Sequence, residues 1–348
     1  MKKIILVILC FYGNFSLQAQ VVTTLPALNN FTIPLNIKGA DVGKIIYTEL
    51  TNPEKISIAK DTSGLFKIKK NGFIGLKANV RLSPSSGAFR YGITLKIQGR
   101  LFEFELVKDE FIHNKVIAHR GAWKNHQLTE NTISALKKAI ELGLEGSEFD
   151  VWLSSDNVPV ICHNSTVKGK QIEKTTAKEL QNVDLNNGDV VPTLEQYILT
   201  IKSQNKTRLF LEIKSSEVSQ ERSLAIADSV VRMVHALKAQ AWVTYISFNY
   251  GVLQRIRQLD PGAPTAYLSG DKKVTELIAD KISGLDYPFN AFQTDKTLTQ
   301  DAHHYGLNVN VWTVDNKAEM KVILKDGVDL ITTNEPESLL DLIGSDFQ

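Results

Sequence analysis

From Val116 to near its end the chain alternates short apolar runs with amphipathic segments, and few folds tolerate that pattern. Runs at 116–119, 147–153, 159–163, 208–214, 243–248, 264–268, 291–294, 308–314 and 328–332 are rich in β-branched and aliphatic residues and read as strands. Helical repeats lie between them. In 132–142, Ile133, Leu136, Ala139 and Ile140 share a face, and 223–237 and 318–325 are also read as helices. Strands that alternate with helices over roughly 230 residues form a parallel sheet, because each crossover carries a helix. The expected fold class is therefore α/β, a (β/α)8 TIM-type barrel. No glycine-rich phosphate loop follows the first strand, which disfavours a nucleotide-binding open sheet.

Nine strand candidates are one too many for eight. Segments 147–153 and 159–163 are joined only by Ser154-Ser155-Asp156-Asn157-Val158, too short for a parallel crossover, so they form an antiparallel hairpin. Folding about Ser155 or Asp156 gives paired residue numbers summing to near 311, which sets His163 opposite Glu148.

The first third reads differently. Leu65-Phe66-Lys67-Ile68, Ile74-Gly75-Leu76 and Tyr91-Gly92-Ile93-Thr94-Leu95 alternate with period two, and Ser83-Pro84-Ser85-Ser86-Gly87 marks a turn. Residues 21–112 are expected to form a small all-β sandwich, with 113–345 as the barrel. These runs resemble cadherin-like or immunoglobulin-like modules. At the N-terminus, Lys2 and Lys3 precede an apolar run from Ile4 to Tyr12 and the small-residue context of Ala19, the order of a secretory signal peptide over 1–20. The run is too short for a stable membrane span. Leu9 is bulky for lipoprotein processing at Cys10. The expected destination is the periplasm or the exterior. Loss of the signal leaves Cys162 as the one cysteine, so no internal disulfide is available. The formal net charge of +2 falls to near zero once Lys2 and Lys3 go, which is no footprint for nucleic acid. Oligomeric state is not legible.

Chemistry concentrates at the strand ends. Glu148 and Asp150 are two apart and face the same way in a strand, as do Glu212 and Lys214. Acids inside apolar strands are costly to bury unpaired, and neighbouring carboxylates repel. A hard divalent cation relieves both problems. Taken singly, Glu148 with Asp150 reads better as a wet edge and Glu212 with Lys214 as a salt bridge. Together, on successive strands, they indicate a site at the open end of the barrel. His119 and His163 each follow an apolar run and are suited to proton transfer. Arg120 and Lys214 add positive charge, Arg with a fork that fits phosphate oxygens. His113, His126, His235, His303 and His304 fall in loops or helices and are expected at the surface.

Ala118-His119-Arg120-Gly121, Glu130-Asn131-Thr132, Glu148-Phe149-Asp150-Val151, His163-Asn164, Pro192-Thr193-Leu194 and Leu211-Glu212-Ile213-Lys214 resemble, in order and spacing, the glycerophosphodiester phosphodiesterase family. Ser247-Phe248, Asn310-Val311-Trp312-Thr313-Val314 and Gly327 to Asn334 extend the resemblance, which covers roughly 113 to 340. It implies hydrolysis of glycerophosphodiesters to an alcohol and glycerol 3-phosphate. Glu148, Asp150 and Glu212 would bind one divalent cation, Ca²⁺ or Mg²⁺. His119 and His163 would be the acid/base pair, and Arg120 and Lys214 would hold the phosphate. Trp312 would lie near the glycerol, with Glu130 and Asn131 in support. Two positions depart from the family pattern. Asn164 replaces an Asp, keeping a hydrogen-bonding carbonyl and a supporting role without the charge. Thr129 replaces a Pro and can still shape the turn into the helix. The rival readings are a related phospholipase C or sphingomyelinase D-like phosphodiesterase, a non-catalytic phosphate-ligand binding protein, and an adhesion protein whose barrel is secondary.

Overall fold

The computed structural model describes residues 25–46 and 56–346, so the segment read as a signal peptide lies outside the described residues. Among the described residues, eight strands come first: β1 (Ala27–Leu28), β2 (Thr32–Ile33), β3 (Asp41–Ile46), β4 (Ile56–Asp61), β5 (Phe66–Ile68), β6 (Phe73–Leu76), β7 (Arg90–Ile97) and β8 (Arg100–Lys108). They make two four-stranded sheets, ordered β1-β3-β6-β5 and β2-β8-β7-β4. The period-two pattern decides which side chains face inward. Phe66, Ile74 and Leu76 of one sheet and Ile93, Leu95, Ile97, Phe104 and Leu106 of the other are buried in one apolar cluster. Phe66 and Tyr91 meet edge-on between the sheets, ring centroids 5.8 Å apart.

The barrel strands are β9 (Val116–Ala118), β10 (Gly146–Leu153), β14 (Arg208–Ile213), β15 (Val243–Ser247), β16 (Thr265–Tyr267), β17 (Gly284–Pro288), β18 (Asn308–Trp312) and β19 (Leu330–Thr333). All eight are parallel, and β9 pairs with both β19 and β10 to close the ring. β11 (Pro159–Ile161) adds antiparallel to β10, and β12 (Thr166–Val167) with β13 (Lys170–Gln171) forms a separate hairpin. The helices are α1 (Ile133–Glu141), α2 (Ala177–Gln181), α3 (Leu194–Ile201), α4 (Gln220–Ala236), α5 (Tyr250–Leu259), α6 (Val274–Ala279), α7 (Phe289–Thr294), α8 (Leu298–His304), α9 (Lys317–Lys325) and α10 (Pro336–Asp346). The starts of α1, α3, α4, α5 and α9 are set by Thr132, Thr193, Ser219, Asn249 and Asn316, whose side chains accept first-turn N–H bonds.

Inside the ring, Ile117, Phe210, Ile246, Leu268 and Leu330 pack as a second apolar cluster. Gly146 makes room for it: a Cβ there would lie 2.6 Å from the Phe210 ring and 2.7 Å from Ile117. The sandwich seats against the barrel through Lys202–Glu105 (2.9 Å), Lys206–Glu110 (3.0 Å) and a bond from Asn205 to the Lys108 carbonyl.

Three sequence expectations are corrected. Segment 291–294 is not a strand but part of α7, and the sixth barrel strand is β17. Its outward residues Leu285 and Tyr287 are buried against helices, while Gly284 and Asp286 alternate with them, so no apolar run advertises it. The β10–β11 register is also shifted: Val151 pairs with Ile161 and Leu153 with Pro159, so paired numbers sum to 312. The turn centres on Asp156, with Asn157 left-handed at φ 61° and Ser154 hydrogen-bonding both ways with Val158. The ladder ends at Val151, so His163 does not pair with Glu148. Finally, the His235 ring, on α4, is largely buried and bonds Asp260 at 2.7 Å rather than sitting at the surface.

Candidate active site

The C-terminal ends of the barrel strands open into a pocket of about 120 Å³. Its charged side is built from His119, Arg120, Glu148, Asp150, His163, Glu212 and Lys214. Its apolar side is Ile246, Phe248, Leu268 and Trp312. The structure thus brings together all seven polar residues singled out from the sequence, along with Trp312. Glu130, Asn131 and Asn164 lie beside it in a cleft that shares His163.

The turn after β9 shapes the first part of the site. Arg120 is left-handed at φ 58°, an uncommon conformation for a residue with a Cβ. This aims its backbone N–H at Glu148 Oε2, 2.8 Å away. Gly121 follows at φ 84°, and any Cβ there would come within 2.6 Å of Ala135 on α1. The Arg120 guanidinium is held by Glu130 at 3.0 Å, while its buried Nε has no hydrogen-bond partner. Asn131 is also left-handed and grips Asp150 twice, Nδ2 donating to Oδ2 at 2.8 Å and Oδ1 accepting from the Asp150 N–H at 3.0 Å. Thr132, not Thr129, caps α1; Thr129 instead donates to the Leu185 carbonyl.

Oxygens of Glu148, Asp150 and Glu212 lie within 4.8 Å of one another, and all three residues are buried. Lys214 bonds Glu212 at 2.7 Å and Asp150 at 3.1 Å. Burial and then repulsion by Asp150 and Glu212 push the Glu148 carboxyl well above its ordinary range. Burial followed by Asp150 pushes Glu212 up to about 7. Burial alone would raise Asp150 too, but Lys214, His163 and the Asn131 bond outweigh it and hold it low. Burial would likewise lower Lys214, yet Asp150 and Glu212 carry it up to about 12. One ammonium and one guanidinium do not neutralise this acid set, and the donors are all hard oxygens. The set suits a hard divalent cation, which the three carboxylates could hold.

Each histidine is held by its Nδ1. His119 Nδ1 lies 2.9 Å from Asn334 Oδ1, and Asn334 Nδ2 in turn donates to Asp315 at 2.8 Å. That chain fixes Asn334 Oδ1 as the acceptor, so Nδ1 carries the proton and Nε2 is a free acceptor. Nε2 lies 4.0 Å from Glu148. Burial, followed by the Arg120 charge, lowers the His119 pKa. His163 Nδ1 meets Asn164 Oδ1 at 2.9 Å, and its carbonyl accepts from Trp152 Nε1 at 3.3 Å. Asn164 thus occupies the supporting position its carbonyl suits.

Sequence reasoning missed Asp286 and, Trp312 apart, the apolar side of the pocket; Asn334 fell within the resemblance over 327–334 but was given no role. Asp286 is 2% exposed, and burial pushes its carboxyl up to about 8.

Comparison with known proteins agrees with the fold. Residues 119–338 match the family model described as "Glycerophosphoryl diester phosphodiesterase family". A glycerophosphodiester phosphodiesterase of Caldanaerobacter subterraneus subsp. tengcongensis is 30% identical over 242 residues, 66% of this chain and 97% of the relative. A crystal structure of a glycerophosphodiester phosphodiesterase from Parabacteroides distasonis superposes with TM-score 0.65 at 38% identity, covering 69% of this chain and all of that one. Another from Thermotoga maritima gives TM-score 0.54 at 25% identity, covering 66% and 99%. Barrel, pocket and relatives together define a phosphoric diester hydrolase. The chain belongs to the glycerophosphoryl diester phosphodiesterase family.

Proposed function

We propose that this protein hydrolyses glycerophosphodiesters to an alcohol and glycerol 3-phosphate, using His119 and His163 for proton transfer and a divalent cation, Ca²⁺ or Mg²⁺, as cofactor. The observation that carries this reading is the convergence, in one pocket, of three buried carboxylates with two imidazoles each tied at Nδ1. Glu148, Asp150 and Glu212 would hold the cation, which when bound supplies Lewis-acid charge for the phosphodiester oxygens. The Nε of Arg120 makes no hydrogen bond, lying 3.9 Å from Asp150, and is a donor for a phosphate oxygen. Lys214 has three ammonium donors and uses two on Asp150 and Glu212, leaving the third for the substrate. One imidazole Nε2 takes a proton from the attacking water as its oxygen bonds to phosphorus. The other ring, protonated, gives its proton to the departing alkoxide as the P–O bond breaks. Glu130 steadies Arg120 and Asn131 steadies Asp150, so both keep their aim. Turnover of glycerophosphocholine before and after chelation, with Ca²⁺ or Mg²⁺ added back, tests the reading alongside His119→Ala. Chelator-resistant activity, or normal turnover by the His119→Ala protein, sinks it.

Residues 21–112 and 113–345 are read as two units, the first a cadherin-like or immunoglobulin-like module. Support comes from its two-sheet arrangement, and limited proteolysis that fails to cut between β8 and β9 would count against it. Export rests on the order of Lys2, Lys3, the apolar run and Ala19. N-terminal sequencing of protein from cell fractions tests it: an intact Met1 on cytoplasmic protein would refute export.

A further inference from the structure

Asp286 stands apart from the rest of the pocket. It projects from β17 into the pocket lining that also holds Leu268 and Trp312. It is 2% exposed, and its Oδ1 has no hydrogen-bond partner. It does not belong to the carboxylate triad whose oxygens lie within 4.8 Å of one another. Its register partner on β18 is Asn310, also 2% exposed, whose Nδ2 donates to Thr332 Oγ1 at 2.9 Å and whose Oδ1 is likewise unpartnered. Trp312 Nε1 donates to the Asp286 carbonyl at 2.8 Å, which fixes the backbone; the Asn310 side chain reaches the carboxyl, and Oδ1 still has no donor.

A buried polar atom without a partner is costly to the fold. An apolar residue would serve the fold better at this position, so the carboxyl calls for a role in binding. We propose that Asp286 is a specificity-determining residue that hydrogen-bonds a free hydroxyl on the glyceryl part of the substrate. This inference rests on the proposed function. The charged side of the pocket takes the phosphate, and the apolar side covers the carbon skeleton. Asp286 is then the polar group set into that apolar side to select an alcohol over an alkyl chain. A hydroxyl both donates and accepts, so it satisfies the carboxyl in either protonation state. A site built around such a bond strongly disfavours the analogue that lacks the hydroxyl, because the buried group is then left unpaired.

The test compares kcat/KM of the full chain on glycerophosphocholine and on propyl phosphocholine, which keeps the leaving group and drops the hydroxyls. The wild type should prefer the glyceryl substrate by about 100-fold or more. Asp286→Leu should reduce that preference to about tenfold or less, with the loss falling on the glyceryl substrate. The isosteric Asp286→Asn, which still offers a donor and an acceptor, should retain much of it. A second reading needs no variant: glycerol 3-phosphate should inhibit the wild type at least about tenfold more tightly than propyl phosphate. An unchanged preference in a folded Asp286→Leu protein, or equal inhibition by the two phosphates, overturns this inference alone. A wild type that cleaves no glycerophosphodiester overturns the function and this inference together.

Discussion

Glu212→Gln should separate the cost of the acidic cluster from its use. In the metal-free protein the Glu212 carboxyl titrates at about 7 against an ordinary 4.5. The folded state therefore holds this proton more tightly than the unfolded state. The associated stability is fully present below pH 4.5, is lost as pH rises toward 7, and stays lost above it. At about 1.4 kcal/mol per pH unit the difference amounts to ~3 kcal/mol. Gln cannot ionise, yet its carbonyl still accepts from Lys214. In chelator, the variant should match the wild type near pH 5 and exceed it by ~2–3 kcal/mol at pH 8. Added cation should reverse the order. The wild type gains about 4.1 kcal/mol at a thousandfold excess over its Kd, and the variant gains little. Urea unfolding at both pH values, with chelator and with Ca²⁺ or Mg²⁺, measures all of these. A variant less stable than wild type at pH 8 in chelator, or one stabilised as much by cation, would refute the reasoning.

Asn334→Leu removes the acceptor that sets the His119 tautomer. It should lower kcat by about 10–100-fold with little change in KM, and a normal kcat would show that the bond is incidental. Arg120→Lys keeps the charge but loses the fork and the Nε donor, so KM for a glycerophosphodiester should rise about tenfold; steady-state kinetics decide. Gly121→Ala forces a Cβ against Ala135 at a left-handed φ, and should cost at least ~2 kcal/mol in urea unfolding. An unchanged midpoint would mean the turn after β9 can relax.

The legible parts of the site were those written in local periodicity. Glu148 with Asp150, and Glu212 with Lys214, share a face because strand side chains alternate, whatever else the chain does. His119 and His163 were conspicuous as polar residues after apolar runs. β17 was hidden for the converse reason: its inward residues, Gly284 and Asp286, are not apolar, and the nearby Ala291-Phe292 supplied a false strand that is really a turn of α7. The hairpin was legible from its short connection, but its register was not. Whether the turn centres on Ser155 or Asp156 depends on Asn157 taking a left-handed φ and on the Ser154–Val158 bonds.

By itself, the sequence determined that strands and helices alternate, that the sheet is parallel, and which carboxylates and histidines could meet. Those properties follow from side-chain period and connection length, which are local. Tertiary structure alone decided that His119 meets Asn334, 215 residues away, because only closure of β19 onto β9 makes them neighbours. It also decided the carboxyl pKa values, which depend on burial and on charges from different strands. And it left Asp286 Oδ1 without a donor in the pocket lining, since a missing partner shows only when every neighbour is in place.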